Sequence, residues 1–446
     1  MTVSAPLGPD PHAGLRITLL YWVYDALWTL ALLLTSPWWI VRSLLHGPTR
    51  RMVRGRLTLN LKHFAPASGM PRVLVHGVSV GEVKAAKSLV TELSKSCEVV
   101  VSSSTNTGML VARQCYPEYK VVRFPVDHMW PVTRFMNRVQ PSYVVLMELE
   151  LWPNFLRKAN RLEVPVAIVS GRITPSSHTS YRRFGTTLPQ FHRITVFAVQ
   201  DEEHARRFAD LAGSRERVVI TGNVKIDGLD TGQVLDDDSL EELRRFVGGE
   251  PGQFVLVAGS THDPEEGLVA TAFRQADPDA RMILVPRHPE RGRAVLSELA
   301  ALGLGAQLLT ELRAGREEVD KTQALIVDTI GELERIYSLA DVVFVGGTLV
   351  PHGGQNMLEP AALGKTVLHG PHVDNFTQEA GLLEAAGGSR IVRDSAQLAE
   401  VLGELLKDEA QRKLMGKAGR KAVEAQKGAT ARSLRVLADR CGLRLY

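Results

Sequence analysis

Short apolar runs alternate with helical patterns in two series, and this alternation limits the possible folds more than any other feature of the chain. In the first series the runs are residues 72–75, 98–102, 143–147, 166–169, 196–199 and 218–220. In the second they are 254–258, 282–285, 324–327, 342–345 and 366–368. Val342-Val-Phe-Val345 is wholly apolar, the pattern of a strand buried on both faces of a parallel sheet. Strands that alternate with helices form a doubly wound α/β sheet. Residues 229–252 interrupt the pattern with DDDSLEEL and GGEPG and read as a linker containing a short helix. The expectation is two Rossmann-like domains, 60–228 and 253–446, with a ligand cleft at the facing carboxyl ends of their strands. The second is expected to carry the helical tail at 396–437. A chain of 446 residues is too long for one ordinary core, which agrees with two domains.

Residues 1–16 carry Pro and Gly and are expected to be flexible. Residues 17–40, ITLLYWVYDALWTLALLLTSPWWI, are almost entirely apolar, and about 20 such residues suffice to span a bilayer. Tyr21, Trp22, Trp38 and Trp39 resemble interfacial belts. Arg42, Arg50, Arg51, Arg54, Arg56 and Lys62 follow the run, whereas nothing basic precedes Arg16. That asymmetry puts the bulk of the chain on the cytoplasmic side of the membrane. Residues 17–45 therefore read as a retained N-terminal anchor, with Asp25 leaving open a helix that lies in the interface.

A net charge of +4 is too slight to argue for nucleic-acid binding, which concentrates basic residues on one face. Cys97, Cys115 and Cys441 are widely spaced and odd in number, so neither a disulfide framework nor a zinc site is expected. The 13 histidines include no HxxxH or HExxH cluster, and no bound metal or other cofactor is expected.

Chemistry in an open parallel sheet collects at the carboxyl ends of the strands. In the first series those ends supply Ser79-Val-Gly81-Glu82, Glu148 and Glu150, Gly171-Arg172 and Gly222-Asn-Val-Lys225. In the second they supply Gly259-Ser260-Thr261-His262, Pro286-Arg287, Asp328-Thr-Ile-Gly-Glu332 and the stretch 340–376. That stretch holds Gly346-Gly347 and Gly353-Gly354, which let the backbone approach a ligand closely. Asn356 can then cap a helix start that offers N–H groups to phosphate, and Glu359 could accept from ribose hydroxyls. Glu82, after a strand and a glycine, could take a proton from a hydroxyl nucleophile; the helix dipole alone would also favour a glutamate there. Glu148 ends a buried strand and needs a partner. Lys225 could neutralise a leaving phosphate, and the planar fork of Arg287 suits phosphate better. His262, His288 and His352 read as hydrogen-bonded structural groups.

Read in order, these motifs resemble a known family. They are His76-Gly-Val-Ser-Val-Gly-Glu82, Met147-Glu-Leu-Glu-Leu-Trp-Pro-Asn154, Thr221-Gly-Asn-Val-Lys225, Gly259-Ser-Thr-His262, Pro286-Arg-His-Pro-Glu-Arg291 and Asp328-Thr-Ile-Gly-Glu-Leu333. Phe344-Val-Gly-Gly-Thr348, Gly353-Gly-Gln-Asn-Met-Leu-Glu-Pro360 and Gly370-Pro continue the match. Together they look like the 3-deoxy-D-manno-octulosonic acid (Kdo) transferases of lipopolysaccharide synthesis, inverting enzymes of the two-Rossmann GT-B type. The resemblance implies transfer of Kdo from CMP-Kdo to the 6′-hydroxyl of a lipid A precursor. It matches Glu82 to the general base and Glu148 and Lys225 to transition-state stabilisers. It matches Pro286, Arg287, Ile330, Gly331, Glu332, Asn356, Met357, Leu358 and Glu359 to CMP-binding positions. Gln355, Met357 and Ile330 stand where His, Pro and Met are common. Tyr181-Arg182-Arg183 and Arg193 are candidates for contact with lipid A phosphates. The competing readings are a GT-B transferase using a UDP-sugar, and a membrane-tethered binding protein without turnover.

Overall fold

The structure is a computed structural model that describes residues 14–64, 69–185, 187–229, 237–250 and 253–444. The expectation of a flexible terminus falls, through residue 13, outside the described residues. The chain divides into two compact units, residues 1–228 with 427–446 and residues 229–426.

The first unit is built on a parallel sheet of seven strands: β1 (Arg72–His76), β2 (Glu98–Ser103), β3 (Lys120–Arg123), β4 (Tyr143–Met147), β5 (Val166–Gly171), β6 (Val196–Val199) and β7 (Val218–Ile220). Their order is β3-β2-β1-β4-β5-β6-β7. The strand order reverses between β1 and β4, which pair with Leu74 opposite Val144 and His76 opposite Leu146. A crevice forms at such a reversal because the helices that follow its two strands lie on opposite faces. Core residues fill both faces, with Leu74, Leu146 and Ile168 on one and Val75, Val145 and Val169 on the other.

Two helices precede this sheet, α1 (Leu15–Leu45) and α2 (Gly47–Arg56). By length and composition α1 is able to cross a membrane. Its N-terminal part, however, is fastened to the first unit. Tyr21 is fully buried, and the guanidiniums of Arg157 and Arg193 stack on its ring at 4.3 and 5.5 Å. Tyr24 Oη donates to Asp127 Oδ2 at 3.0 Å. Asp25 Oδ1 accepts from Asn154 Nδ2 at 2.8 Å and from the Met129 N–H at 3.2 Å. The carboxylate that interrupts the apolar run thus has protein partners. Leu19, Trp22, Leu30, Leu34, Trp38, Val41 and Leu45 are exposed, at spacings that place them on the side away from Tyr21 and Asp25. Arg193, a sequence candidate for lipid phosphate, is buried under Tyr21 and is not open to such a contact.

The second unit holds β8 (Val255–Thr261), β9 (Arg281–Pro286), β10 (Ala306–Leu308), β11 (Ala324–Ile326), β12 (Val342–Val345), β13 (Thr366–His369) and β14 (Ser389–Ile391). They form a second parallel sheet in the order β10-β11-β9-β8-β12-β13-β14, reversing between β8 and β12.

Three differences from the sequence reading have physical causes. β3, β10 and β14 were not expected; each is an edge strand of three or four residues, too short and too mixed to show a periodic signal. The expected linker contains the helix Asp237–Val247, which groups with the second unit and buries Leu243, Phe246 and Val247. The tail assigned to the second domain does not all stay there. Helix Ala429–Cys441 belongs to the first unit, where the Asp227 carboxylate accepts from the N–H groups of Gly428 and Thr430 at 2.7 and 2.5 Å. Arg432 Nε donates to the Thr221 carbonyl at 2.8 Å, and Leu434 and Leu437 enter the core.

Candidate active site

β1 runs into the start of helix α3 (Val80–Ala85), which has a complete capping box. The Glu82 N–H donates to Ser79 Oγ at 3.2 Å, and Glu82 Oε1 accepts from the Ser79 N–H at 3.2 Å. Such a cap is worth about 1 kcal/mol. Glu82 Oε1 also accepts from Ser79 Oγ at 2.6 Å, and Oε2 accepts from the Val78 N–H at 2.9 Å. Glu82 is 8% exposed. A carboxylate has roughly four acceptor positions, so one, on Oε2, is left for another proton donor. The two readings of this residue are therefore compatible. Gly81 is exposed beside it, where a Cβ would meet only Ser79 Oγ at 3.8 Å.

Glu148 follows β4, the strand on the other side of the reversal, with a left-handed φ of 57°. That conformation is uncommon for a side chain larger than glycine and marks a site held by its surroundings. Its Oε1 is ion-paired with Lys225 Nζ. Lys225 comes from the short helix Val224–Asp227 after β7, whose start is fixed when Asn223 Oδ1 accepts from the Lys225 N–H at 3.0 Å and from Ser170 Oγ at 3.2 Å. The expected partner of Glu148 is thus the expected phosphate-neutralising lysine.

Sequence reasoning named Glu150 only as a strand-end residue, and the structure gives it more weight. Burial, then the neighbouring charges of Glu82 and Glu148, push its carboxyl up to about 8, against a hydrogen bond from Trp152 Nε1 at 2.9 Å and the charge of Arg56. At neutral pH Glu150 is therefore largely protonated. The available signal was the Glu-Leu-Glu spacing itself, which puts both glutamates on one strand-to-helix connection.

In the second unit the glycine turns are held by a buried acid that the sequence reading passed over. Glu265 has no exposure and accepts from the N–H groups of Gly347, Thr348 and Leu349 at 2.6, 3.0 and 2.9 Å. A Cβ on Gly346 would lie 2.5 Å from the Thr261 backbone, so only glycine fits there. Gly347, Gly353 and Gly354 have φ of 69°, 83° and 82°. Ser260 also has positive φ, and Thr261 is buried with its Oγ1 donating to Glu266 at 3.3 Å.

Around this turn stand His262, His288 and His352, with His262 stacked on His352 at 4.3 Å and edge-on to His288 at 6.0 Å. Gln355 Nε2 lies 3.2 Å from His262 Nε2, which gives the unusual glutamine a definite partner. Burial, with the charges of His352, His288, Arg287 and Arg291, holds His262 down to about 4. Arg287 is exposed and has no ion pair among the described residues.

The candidate CMP-binding residues differ in what they can present. Pro286, Met357 and Leu358 have buried side chains, so they can offer backbone groups. Ile330 is 87% exposed, and Gly331 follows with φ of 95°. The Glu332 carboxylate is gripped by Arg313 at 2.5 and 2.9 Å and by Thr329 Oγ1 at 2.8 Å. Asn356 Nδ2 donates to Glu359 Oε1 at 3.0 Å while its Oδ1 accepts from the Leu358 N–H at 3.1 Å. The expected Asn356 cap is not formed: the helix is only Leu358–Ala362, and its N-cap position is Met357, without a side-chain cap.

Residues 51–228 match the family described as 3-deoxy-D-manno-octulosonic-acid transferase (kdotransferase). The chain is 31% identical over 398 residues to a 3-deoxy-D-manno-octulosonic acid transferase of Haemophilus influenzae, covering 86% of this chain and 91% of that protein. It is 33% identical over 398 residues to the enzyme of that name from Bordetella pertussis, covering 85% and 89%. In fold it is similar to a solved glycosyltransferase of Rickettsia africae, at 11% identity, a TM-score of 0.58, and 84% and 99% coverage. The two parallel sheets thus have the GT-B fold. By its sequence over most of its length, the chain belongs to the 3-deoxy-D-manno-octulosonic acid transferases, the glycosyltransferases that add Kdo in lipopolysaccharide synthesis.

Proposed function

We propose that this enzyme moves Kdo from CMP-Kdo to the 6′-hydroxyl of a lipid A precursor, with inversion, at the cytoplasmic leaflet of the inner membrane. The observation that carries the reading is that Glu82 and the Lys225-paired Glu148 follow the two strands between which the order of the first sheet reverses, in a chain of this family. Glu82 takes the proton of the acceptor hydroxyl through its open position on Oε2. The hydroxyl oxygen bonds to the anomeric carbon of Kdo on the face opposite CMP, and the bond from that carbon to the phosphate oxygen breaks. CMP leaves with the electron pair, and Lys225, held by Glu148, stabilises the charge that develops.

The donor is held by the second unit. Arg287 supplies an exposed guanidinium for phosphate, and the CMP moiety is met at Pro286, Ile330, Gly331, Glu332, Asn356, Met357, Leu358 and Glu359. Met357 and Leu358 contribute main-chain groups, because their side chains are buried. Helix α1 lies in the membrane interface, its inner face on the protein and its outer apolar row in lipid.

The reading is tested with freshly generated CMP-Kdo and a tetra-acylated lipid A precursor, products being read by mass. Gain of one or more Kdo units is expected. Transfer from a UDP-sugar in place of CMP-Kdo would overturn it.

A further inference from the structure

A groove of about 1170 Å³ lies between α1, α2 and the loops after β2 and β3 of the first unit. Its walls are apolar: Leu32 and Trp39 on α1, Met52 and Val53 on α2, and Trp130 and Pro131 beyond β3. Arg50, Arg54 and Arg56 also line it. Arg50 and Arg54 are exposed, and neither makes an ion pair among the described residues. Burying apolar surface is worth roughly 25 cal/mol per Å². A permanently wet apolar groove of this size gives up that gain, so an apolar occupant is called for.

We infer that this groove receives an acyl chain of the lipid acceptor, with Arg50 and Arg54 meeting an acidic group of the same molecule. The inference rests on the acceptor reading above and adds to it the place where the lipid is held. Three observations support this placement, the last two favouring the acceptor over bulk phospholipid. One wall, α1, turns its other face outward as an exposed apolar row, so a chain can enter sideways from a bilayer. The inner end of the groove is at Ser104 and Thr105, and Thr105 Oγ1 donates to the Val78 carbonyl at 3.0 Å. The N–H of that same Val78 donates to Glu82, so the groove ends beside the carboxylate assigned as base. Arg56, which lines the groove, also acts electrostatically on Glu150. A lipid bound here brings its headgroup to the acids; a lipid with no reacting hydroxyl gains nothing from that position. Two exposed arginines, unpaired among the described residues, complement a phosphorylated headgroup.

The test uses the full-length protein in mixed micelles and an acylated glucosamine disaccharide phosphate carrying a terminal diazirine on one acyl chain. After photolysis, adducts are expected on Leu32, Ser36, Met52 and Val53. Excess unlabelled acceptor should abolish them, and excess phosphatidylglycerol should not. Adducts confined to the outer row at Leu30, Leu34 and Val41, or groove adducts removed equally well by phosphatidylglycerol, would overturn the inference. The variant Ser36→Trp, which fills the groove, should raise KM for the acylated acceptor by about tenfold relative to KM for its de-acylated counterpart, the loss of about two buried methylenes. An unchanged KM ratio would also count against it, and CMP binding reports that the variant is folded. Should the wild type transfer Kdo to neither acceptor, the function reading fails, while the cross-links still judge the groove separately.

Discussion

Asp25 accepts a hydrogen bond from Asn154 Nδ2 at 2.8 Å, tying an apolar helix to the Trp-Pro-Asn segment that follows β4. The same carboxylate accepts from the Met129 N–H, and Asp127 next to it accepts from the N–H groups of Asn154 and Phe155 at 3.0 and 2.9 Å. Helix α1 and the connection carrying Glu148 and Glu150 therefore share one hydrogen-bonded knot. Anything that shifts α1 shifts the segment beside the acids.

Asp25→Ala should loosen that knot. It leaves the half-buried Met129 N–H without its acceptor, a cost of about 1 kcal/mol. Faster amide exchange at residues 127–130 and earlier proteolytic cleavage within α1 are the expected readouts. Unchanged exchange at these positions would show that Tyr21 and Tyr24 hold the helix without help.

Lys225→Met should remove the cation assigned to the leaving phosphate and leave Glu148 without its partner. A fall in kcat of about 10²–10³ is expected, the usual cost of losing one charge-stabilising group at a reacting centre. CMP affinity of the second unit should persist. A variant with near-normal kcat would limit this ion pair to a structural role.

The Glu150 carboxyl, raised to about 8, makes a pH-dependent contribution with a definite sign. In the unfolded chain a glutamate titrates at about 4.3, so between that value and about 8 the folded state binds more protons than the unfolded state. Stability from this group is therefore lost as pH rises through that window. Glu150→Gln, which stays neutral, should gain thermal stability relative to the wild type as pH goes from 5 to 8.5, measured as the difference in Tm at each pH. A constant difference across the series would contradict the shift.

Glu265→Ala should strike the second unit. Three main-chain N–H groups lose their acceptor, which at about 1 kcal/mol or more each amounts to at least about 3 kcal/mol. For a unit of this size each kcal/mol lowers Tm by about 2–4 °C. Calorimetry should show the loss in one transition, together with weaker CMP binding, because the Gly346-Gly347 turn is no longer held. Retained CMP affinity in a protein with lowered Tm would place the nucleotide away from this turn.

The sequence exposed the parts of the fold that depend on local pattern. Strands β4, β6 and β12 fall at the expected residues because each is apolar throughout and paired on both sides in its sheet. Edge strands such as β14, three residues with one buried side chain, carry no such signal. The allocation of helix Ala429–Cys441 was hidden because its docking depends on Asp227, about 200 residues earlier in the chain. At the site, Glu82 and Lys225 could be picked out from strand ends and glycines. The pairing of Lys225 with Glu148, the protonated state of Glu150 and the grip of Glu265 on the glycine turn could not, since each arises from contacts distant in sequence. Asp25 was visible as an anomaly in an apolar run; its partners Asn154 and Met129 were not.

The central claim is that Glu82 is the base for Kdo transfer, and Glu82→Gln tests it most directly. Gln is nearly isosteric and keeps an oxygen that can accept from the Ser79 hydroxyl, so helix α3 can retain part of its cap. Single-turnover transfer from CMP-Kdo to the tetra-acylated precursor, read by product mass, should fall by about 10²–10⁴, the usual contribution of a general base. CMP binding, measured by calorimetry on the same sample, should be unchanged. A Glu82→Gln enzyme that transfers Kdo at the wild-type rate would contradict the account.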